Sequence, residues 1–241
     1  MFYYFLEPLF LYNVILIAAA IIPAIFLMVQ VYRMDRLEPE SPALLRRLVT
    51  AGVLSSLLAL VLEKVLSLIL NLAVPQDSTA YSVILYFIIV AFSEEGSKFL
   101  FLRRQTWEHP EFNCQYDGVV YAVFVSLGFA LWENISYVLN FGFSTAVVRA
   151  VTAIPGHACF GVFMGVFYGA ARRYQDYGMP ALSRLFRVLT VLIPALLHGA
   201  YDYIASMQEM QKGWYFAGFI AVLFILSYFV AVTASKQDRY I

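Results

Sequence analysis

The chain has 241 residues, of which 62% are apolar and 13% are charged, whereas soluble proteins average about 25% charged residues. This composition excludes an ordinary soluble protein and indicates an all-α, polytopic protein embedded in the lipid bilayer. The formal net charge is zero, so nothing in the charge balance indicates a nucleic-acid partner.

Seven segments are apolar enough to cross a bilayer, for which a helix needs about 20 mostly apolar residues. In chain order we predict membrane helices at residues 9–32, 48–72, 82–102, 118–140, 146–171, 186–206 and 213–234. The first segment lacks the positively charged start of a signal peptide, so we expect it to be retained as a true span. We predict that residues 1–241 form a single integral-membrane domain.

Positive charges are concentrated in alternate loops, which predicts the orientation. The charged loops and the tail carry Arg33, Arg36, Arg46, Arg47, Arg103, Arg104, Arg172, Arg173, Arg184, Arg187, Lys236 and Arg239. The other loops hold little beyond Lys212, with Arg149 just inside the fifth span. The positive-inside rule then places the N-terminus outside and the C-terminus in the cytoplasm. This pattern suits a bacterial cytoplasmic membrane.

The third span carries Glu94, Glu95 and Lys98 within an apolar run. A charge at bilayer depth costs about 2.5 kcal/mol or more, so such groups usually line a protein interior or a water-filled cavity. Glu94 and Lys98 are four residues apart and can pair along one face. We expect one carboxylate to pair with Lys98 while the other faces a cavity as a general base toward water. The alternative is an ion pair that only fixes helix packing.

The fourth span places Phe129 and Glu133 on one helix face, with the amide of Asn134 beside the acid. No basic residue lies nearby on this helix. Glu133 is therefore expected to meet a histidine, Lys98 or a cation from elsewhere, or to be protonated and donate a hydrogen bond.

The fifth and sixth spans each contain a histidine near a helix-disrupting residue. His157 follows Pro155 and Gly156, so we expect it to lie beside a polar break in the helix. Small residues that let a neighbouring helix approach closely continue below it at Gly161, Gly165 and Gly169. In the sixth span Asp202 lies one turn after His198, where its carboxylate can orient the imidazole. A structural role for one of the histidines is the alternative.

The depth of these residues in the membrane predicts that they meet. Counted from the cytoplasmic charges at about 1.5 Å per residue, all of them lie in the middle or outer half of a hydrocarbon core about 30 Å thick. We therefore expect one polar site assembled from several helices, with its motifs in residues 92–202.

In their order along the chain, these motifs resemble those of the PrsW family of membrane-embedded proteases, which is related to type II CAAX-processing proteases and to the Aph-1 subunit of γ-secretase. The family patterns EExxK, FxxxEN, HxxxG and HxxxD match, in that order, Glu94, Glu95 and Lys98, then Phe129, Glu133 and Asn134, then His157 and Gly161, and finally His198 and Asp202. Each pattern alone is weak, but the ordered set is specific. The resemblance implies an intramembrane endopeptidase that cuts a membrane-anchored protein substrate, such as an anti-sigma factor.

Two mechanisms fit the same residues. In the favoured one, a divalent metal such as Zn²⁺ activates water, and Glu94 or Glu95 takes the proton. The candidate metal ligands are His157, His198 and Glu133, with Asp202 as an alternative to Glu133. In the other, no metal is present, Glu94 aided by Glu133 activates water directly, and His198 with Asp202 stabilises the oxyanion. The candidate catalytic residues are thus Glu94, Glu95, Glu133, His157, His198 and Asp202, supported by Lys98 and Asn134.

Two functional classes other than a protease are compatible with these motifs. Buried acids and histidines on broken helices are also typical of proton- or cation-coupled transporters, although no inverted repeat relates the two halves of this chain. A non-catalytic scaffold similar to Aph-1 would keep the polar cluster without hydrolysing anything.

Overall fold

The computed structural model describes the backbone of residues 3–207 and 212–241, and the side chains of residues 10–207 and 213–241. Over these residues the regular structure is helical, apart from one isolated bridge between Cys114 and Tyr240. The elements are α1 (Tyr3–Arg33), α2 (Pro42–Ala73), α3 (Thr79–Val83), a π-helical segment (Ile84–Val90), α4 (Ala91–Thr106), α5 (Asp117–Phe141), α6 (Phe143–Val151), α7 (Ala153–Asp176), α8 (Pro180–Ala205) and α9 (Lys212–Lys236). The predicted all-α bundle is confirmed.

Within the part of the chain that the structure describes, six helical stretches are long and apolar enough to cross a membrane. They are Phe10–Arg33, Pro42–Ala73, Asp117–Phe141, Phe143–Asp176, Pro180–Ala205 and Gly213–Lys236. The remaining predicted span, 82–102, lies in the continuous helical run formed by α3, the π-helical segment and α4, which contains the charged EExxK motif. About seven membrane helices were predicted, and the structure confirms this. The orientation of the chain in the membrane stays a prediction. Lys212 was one of the charges used to predict it, and its side chain lies outside the described residues.

The predicted fifth span, 146–171, is not one continuous helix. Gly142 ends α5 with φ of 81°, a conformation that glycine adopts without steric cost, and α6 then runs back along α5. A second interruption occurs at Thr152. The break expected beside His157 is therefore wrong in position, because Pro155 is the third residue of α7, where a backbone N–H would have no helical partner in any case.

Helix α5 occupies the centre of the bundle. Its residues from Asp117 to Ala130 are all buried, and α1, α2, α4 and α7 pack around it. The predicted glycine stripe of α7 provides the closest of these contacts. Gly161 and Gly165 lie against the backbone of α5, and Gly169 lies against the residue that leads into it, with no room for a Cβ atom at any of the three. This packing holds α7 antiparallel to α5 and fixes the height of His157 relative to Glu133.

Candidate active site

Polar side chains from four helical runs meet in one buried cluster inside the bundle. Its members are Glu94, Glu95 and Lys98 of α4, Glu133 and Asn134 of α5, His157 of α7, and His198 and Asp202 of α8. The structure thus brings together all of the side chains that the sequence motifs singled out. Each adjoins the next through a hydrogen bond, an ion pair or, in the case of Asn134, a shared arginine described below.

The ammonium group of Lys98 lies at the centre of the cluster, with no exposed surface. It donates to Oε2 of Glu94 at 3.1 Å and to Oε1 of Glu95 at 2.8 Å. A third contact of 3.2 Å joins it to Nδ1 of His157. An ammonium has three donors, so all of them are used, and the ring of Phe129 lies 4.0 Å away as a cation–π partner. Lys98 therefore holds both glutamates rather than one of them.

The contacts of His157 define its tautomer. An ammonium can only donate, so Nδ1 of His157 accepts from Lys98 and the ring proton lies on Nε2. That nitrogen is 2.8 Å from Oε2 of Glu133. His157 is therefore a neutral ring that links Lys98 to Glu133, and the histidine partner expected for Glu133 is present.

Glu133 has a second partner, Arg149, whose role the sequence analysis missed. Nη2 of Arg149 lies 3.1 Å from Oε2 of Glu133, and its Nε donates to Oδ1 of Asn134 at 2.8 Å. Asn134 in turn donates to the backbone carbonyl of Ala20 in α1 at 3.0 Å. The sequence did contain an indication of this pairing. Glu133 and Arg149 are separated by similar numbers of residues from Gly142, at which the chain folds back.

The imidazole of His198 is held from both sides by carboxylates. Its Nδ1 lies 2.8 Å from Oε1 of Glu95, and its Nε2 lies 3.4 Å from Oδ2 of Asp202. The ring stacks on Phe160 with centroids 4.8 Å apart and planes 18° apart. The orientation of His198 is thus fixed, and the contact with Asp202 is the longer of the two.

The π-helical segment brings α8 close enough for this contact. Phe87, in the middle of that segment, packs directly on Gly199, where a Cβ atom would collide with the phenylalanine. Single π-helical turns within α-helices often occur at functional sites. Here the segment lies immediately before α4, so it sets how closely His198 approaches Glu95.

A cavity of about 240 Å³ reaches the cluster between α2 and α5. These two helices run in parallel, are in backbone contact where Gly52 meets Gly128, and separate beyond that point. The cavity is lined by Ser56, Leu60 and Glu63 of α2, Glu94 of α4, and Phe129, Trp132, Glu133, Ser136 and Tyr137 of α5. Leu60 and Trp132 are exposed on the outer surface, so the cavity opens toward the side of the bundle. Glu63 is a further acid at this site that the motifs did not include.

The cavity distinguishes the two neighbouring glutamates. Glu94 lines it, whereas Glu95 is completely buried. Oε1 of Glu95 is shared by Lys98 and His198, and its Oε2 has no hydrogen-bond partner among the described residues. Of the two neighbouring glutamates, Glu94 is thus the one that lines the cavity, and Glu95 is the one that contacts both the lysine and the histidine.

The cluster contains donors suited to a divalent metal. Among the side chains that the structure describes, Glu94, Glu95 and His157 each offer one ligand atom, all within 4.8 Å of one another. Imidazole with carboxylates is a ligand set that Zn²⁺ accepts, and the unpartnered Oε2 of Glu95 is an additional donor. His198 and Glu133, which were predicted as ligands together with His157, do not belong to this compact group. Lys98 contacts all three of its members, so a metal at this position would replace the ammonium.

Comparison with known proteins yields one family. A family model described as PrsW family intramembrane metalloprotease matches residues 40–232. The protein named Protease PrsW from Geobacillus kaustophilus (strain HTA426) is 32% identical over 224 residues, covering 93% of this chain and 92% of the relative. The protein of the same name from Bacillus subtilis (strain 168) is 33% identical over 191 residues, covering 79% and 83%. The one from Clostridioides difficile (strain 630) is 31% identical over 195 residues, covering 78% of each. No solved structure matches the chain.

Proposed function

Because the chain belongs to the PrsW family of intramembrane metalloproteases, we propose that its buried cluster hydrolyses a peptide bond of a membrane-anchored protein, with Glu94 as the general base. The resemblance to this family is confirmed, and the chain is a membrane-embedded protease. The transporter and scaffold alternatives do not account for this family membership. Its apolar helices and its bacterial relatives place it in the bacterial cytoplasmic membrane. A membrane-anchored anti-sigma factor is the substrate class that we expect.

The position of Glu94 carries this proposal. Its carboxylate lies at the inner end of a cavity that opens to the side of the bundle, and Oε2 is held by the ammonium of Lys98. A general base must lie within hydrogen-bond reach of the proton that it removes. A water molecule in the cavity would satisfy this condition at Glu94, which lines it, whereas Glu95 does not.

The hydrolysis follows from this geometry in two steps. Water in the cavity attacks the carbonyl carbon of the scissile peptide, its proton passes to Glu94, and the carbonyl oxygen becomes an oxyanion. Glu94 then returns the proton to the peptide nitrogen as the C–N bond breaks. One carboxylate thus serves first as base and then as acid, and Glu94 ends the cycle ionised, as it began.

His198 is positioned to stabilise the oxyanion. Glu95 holds Nδ1 firmly at 2.8 Å, while Nε2 makes only the 3.4 Å contact with Asp202. As an imidazolium, whose Nδ1–H donates to Glu95, the ring also carries a proton on Nε2, and this N–H can exchange Asp202 for the substrate oxygen without a change in ring orientation. A donor placed in advance toward a developing oxyanion is worth about 10²- to 10³-fold in rate.

The family description also supports a metal-dependent version, in which Glu94, Glu95 and His157 would hold Zn²⁺. When bound, Zn²⁺ polarises a carbonyl and makes water a stronger nucleophile. Metal content and proteolysis, measured before and after chelation, separate the two versions. Direct activation by Glu94 predicts that activity persists in metal-free protein. Loss of activity on chelation, with recovery on adding Zn²⁺, would make Glu94 a metal ligand instead.

Filling the cavity is expected to impair the entry of substrate. Ser136→Trp places an indole in the opening between α2 and α5, so we expect kcat/KM to fall on the order of 10-fold, mainly through KM. The matched control is Leu139→Trp, because Leu139 lies on the same helix and is 51% exposed outside the cavity. Cleavage of a single-span substrate in proteoliposomes measures both. Equal activity of the two variants would show that substrate reaches Glu94 by another route.

A further inference from the structure

A second group of carboxylates lies at the end of the bundle where the α1–α2 loop meets the start of α5. Asp35 and Glu40 belong to the loop, and Asp117 is the first residue of α5. One oxygen from each of the three lies within 4.8 Å of the others. The group is remote from the candidate active site, because Glu133 follows Asp117 on the same helix by roughly 24 Å of axial rise.

Five of the six oxygens of these carboxylates have no hydrogen-bond partner among the described residues. Glu40 is only 3% exposed, and neither of its oxygens has a hydrogen-bond partner within the described part of the chain. The same is true of both oxygens of Asp35 and of Oδ1 of Asp117. A buried carboxylate without a partner is strongly unfavourable, so three of them side by side require positive charge or bound protons.

The surrounding backbone holds the group in place. The amide groups of Asn113 and Cys114 donate to Oδ2 of Asp117 at 3.0 and 2.7 Å, which leaves Oδ1 free. The C-terminal tail binds the loop between α4 and α5, since the amide of Ile241 donates to the carbonyl of Asn113 at 2.8 Å. Asp117 and Glu40 thus lie next to fixed backbone, since Glu40 directly precedes Ser41, the residue that caps α2.

The loop acids interact unfavourably in the absence of a counter-charge. Burial, with a further contribution from Asp238, raises the pKa of Asp35 to about 6. Burial and the neighbouring Asp117 raise the pKa of Glu40 to about 9. A bound cation would relieve both effects, because it offsets the lost solvation and the repulsion together.

We propose that Asp35, Glu40 and Asp117 bind a hard divalent cation, of the Ca²⁺ and Mg²⁺ class, that ties the α1–α2 loop to the start of α5. The donors are all carboxylate oxygens, which such cations prefer, whereas Zn²⁺ favours nitrogen and sulfur. The site is structural and distinct from the protease cluster. It holds the end of the central helix that carries Glu133.

The test uses the purified full-length chain in detergent, stripped of metals and then titrated with Ca²⁺ alone or Mg²⁺ alone. We expect saturable binding by calorimetry and a rise in the melting temperature. Glu40→Gln is expected to weaken binding by about 10- to 100-fold, a loss that even a residue supporting a ligand typically causes. In metal-free buffer the same variant should melt no lower than the wild type, because the neutral amide replaces a buried carboxyl group that has no hydrogen-bond partner among the described residues.

Two controls identify the site. Glu108→Gln removes an exposed carboxylate at the same end of the bundle and should leave cation binding unchanged. Glu94→Gln should also leave it unchanged, which separates this site from the protease cluster. The proposal is overturned if neither cation binds the wild-type chain, if Glu40→Gln binds as well as the wild type, or if Glu94→Gln abolishes binding.

Discussion

Glu94→Gln is expected to lower kcat for peptide hydrolysis by about 10²- to 10⁴-fold, the usual contribution of a general base. The amide has the shape of the carboxylate, and its oxygen can still accept from the ammonium of Lys98, so folding should be retained. It cannot take a proton from water, however. Because Glu94 lines the cavity and Glu95 does not, this loss should occur without a large change in KM.

Proteolysis of a membrane-anchored substrate in proteoliposomes, followed by mass spectrometry of the products, measures this effect. Glu108→Gln is the matched control, since it makes the same chemical change at an exposed position. Glu95→Gln should also reduce kcat, but through the orientation of His198, so its loss should be accompanied by a shifted pH profile. Normal turnover by Glu94→Gln would refute the assignment of Glu94 as the base.

Lys98→Met is expected to lower the free energy of unfolding by about 3–5 kcal/mol, as happens when one partner of a buried ion pair is removed. Methionine fills similar space but leaves Glu94 and Glu95 without their shared cation. It also removes the donor to Nδ1 of His157. Activity should be lost as well, because the ammonium fixes the carboxylate of Glu94.

Thermal unfolding in detergent tests this expectation. Lys64→Met is the control, because Lys64 is exposed on α2 and a surface substitution usually changes stability by less than about 0.5 kcal/mol. Adding Glu95→Gln to Lys98→Met should recover part of the loss, since one uncompensated charge disappears. If Lys98→Met were as stable as the wild type, another cation, such as a bound metal, would have to hold the two glutamates.

The membrane helices were predictable because each is specified by its own residues. A bilayer requires about 20 apolar residues per span whatever the neighbouring helices do, so hydropathy located the helical stretches, with the largest differences, six residues, at the starts of α2 and α8. The fifth span was the exception. Its interruptions at Gly142 and Thr152 depend on how α6 and α7 pack against α5, and Pro155 is tolerated near the start of a helix as readily as at a break.

The pairing within the cluster was not predictable to the same extent. Helical spacing indicated that Lys98 would meet Glu94 but gave no reason for it to meet His157, which lies on another helix. Arg149 looked like an orienting charge until the turn at Gly142 brought it to Glu133. The motifs gave no indication of Glu63, because its place at the cavity depends on the separation of α2 from α5.

The sequence by itself determined the membrane location, the number of spans and the residues that form the polar cluster, because an ionisable group among apolar residues is conspicuous without any knowledge of its neighbours. Only the tertiary structure decided which glutamate faces the cavity and which is enclosed, and that Lys98 holds both. The reason is physical: partner, solvent access and orientation depend on contacts between helices, and side chains far apart in the sequence make those contacts.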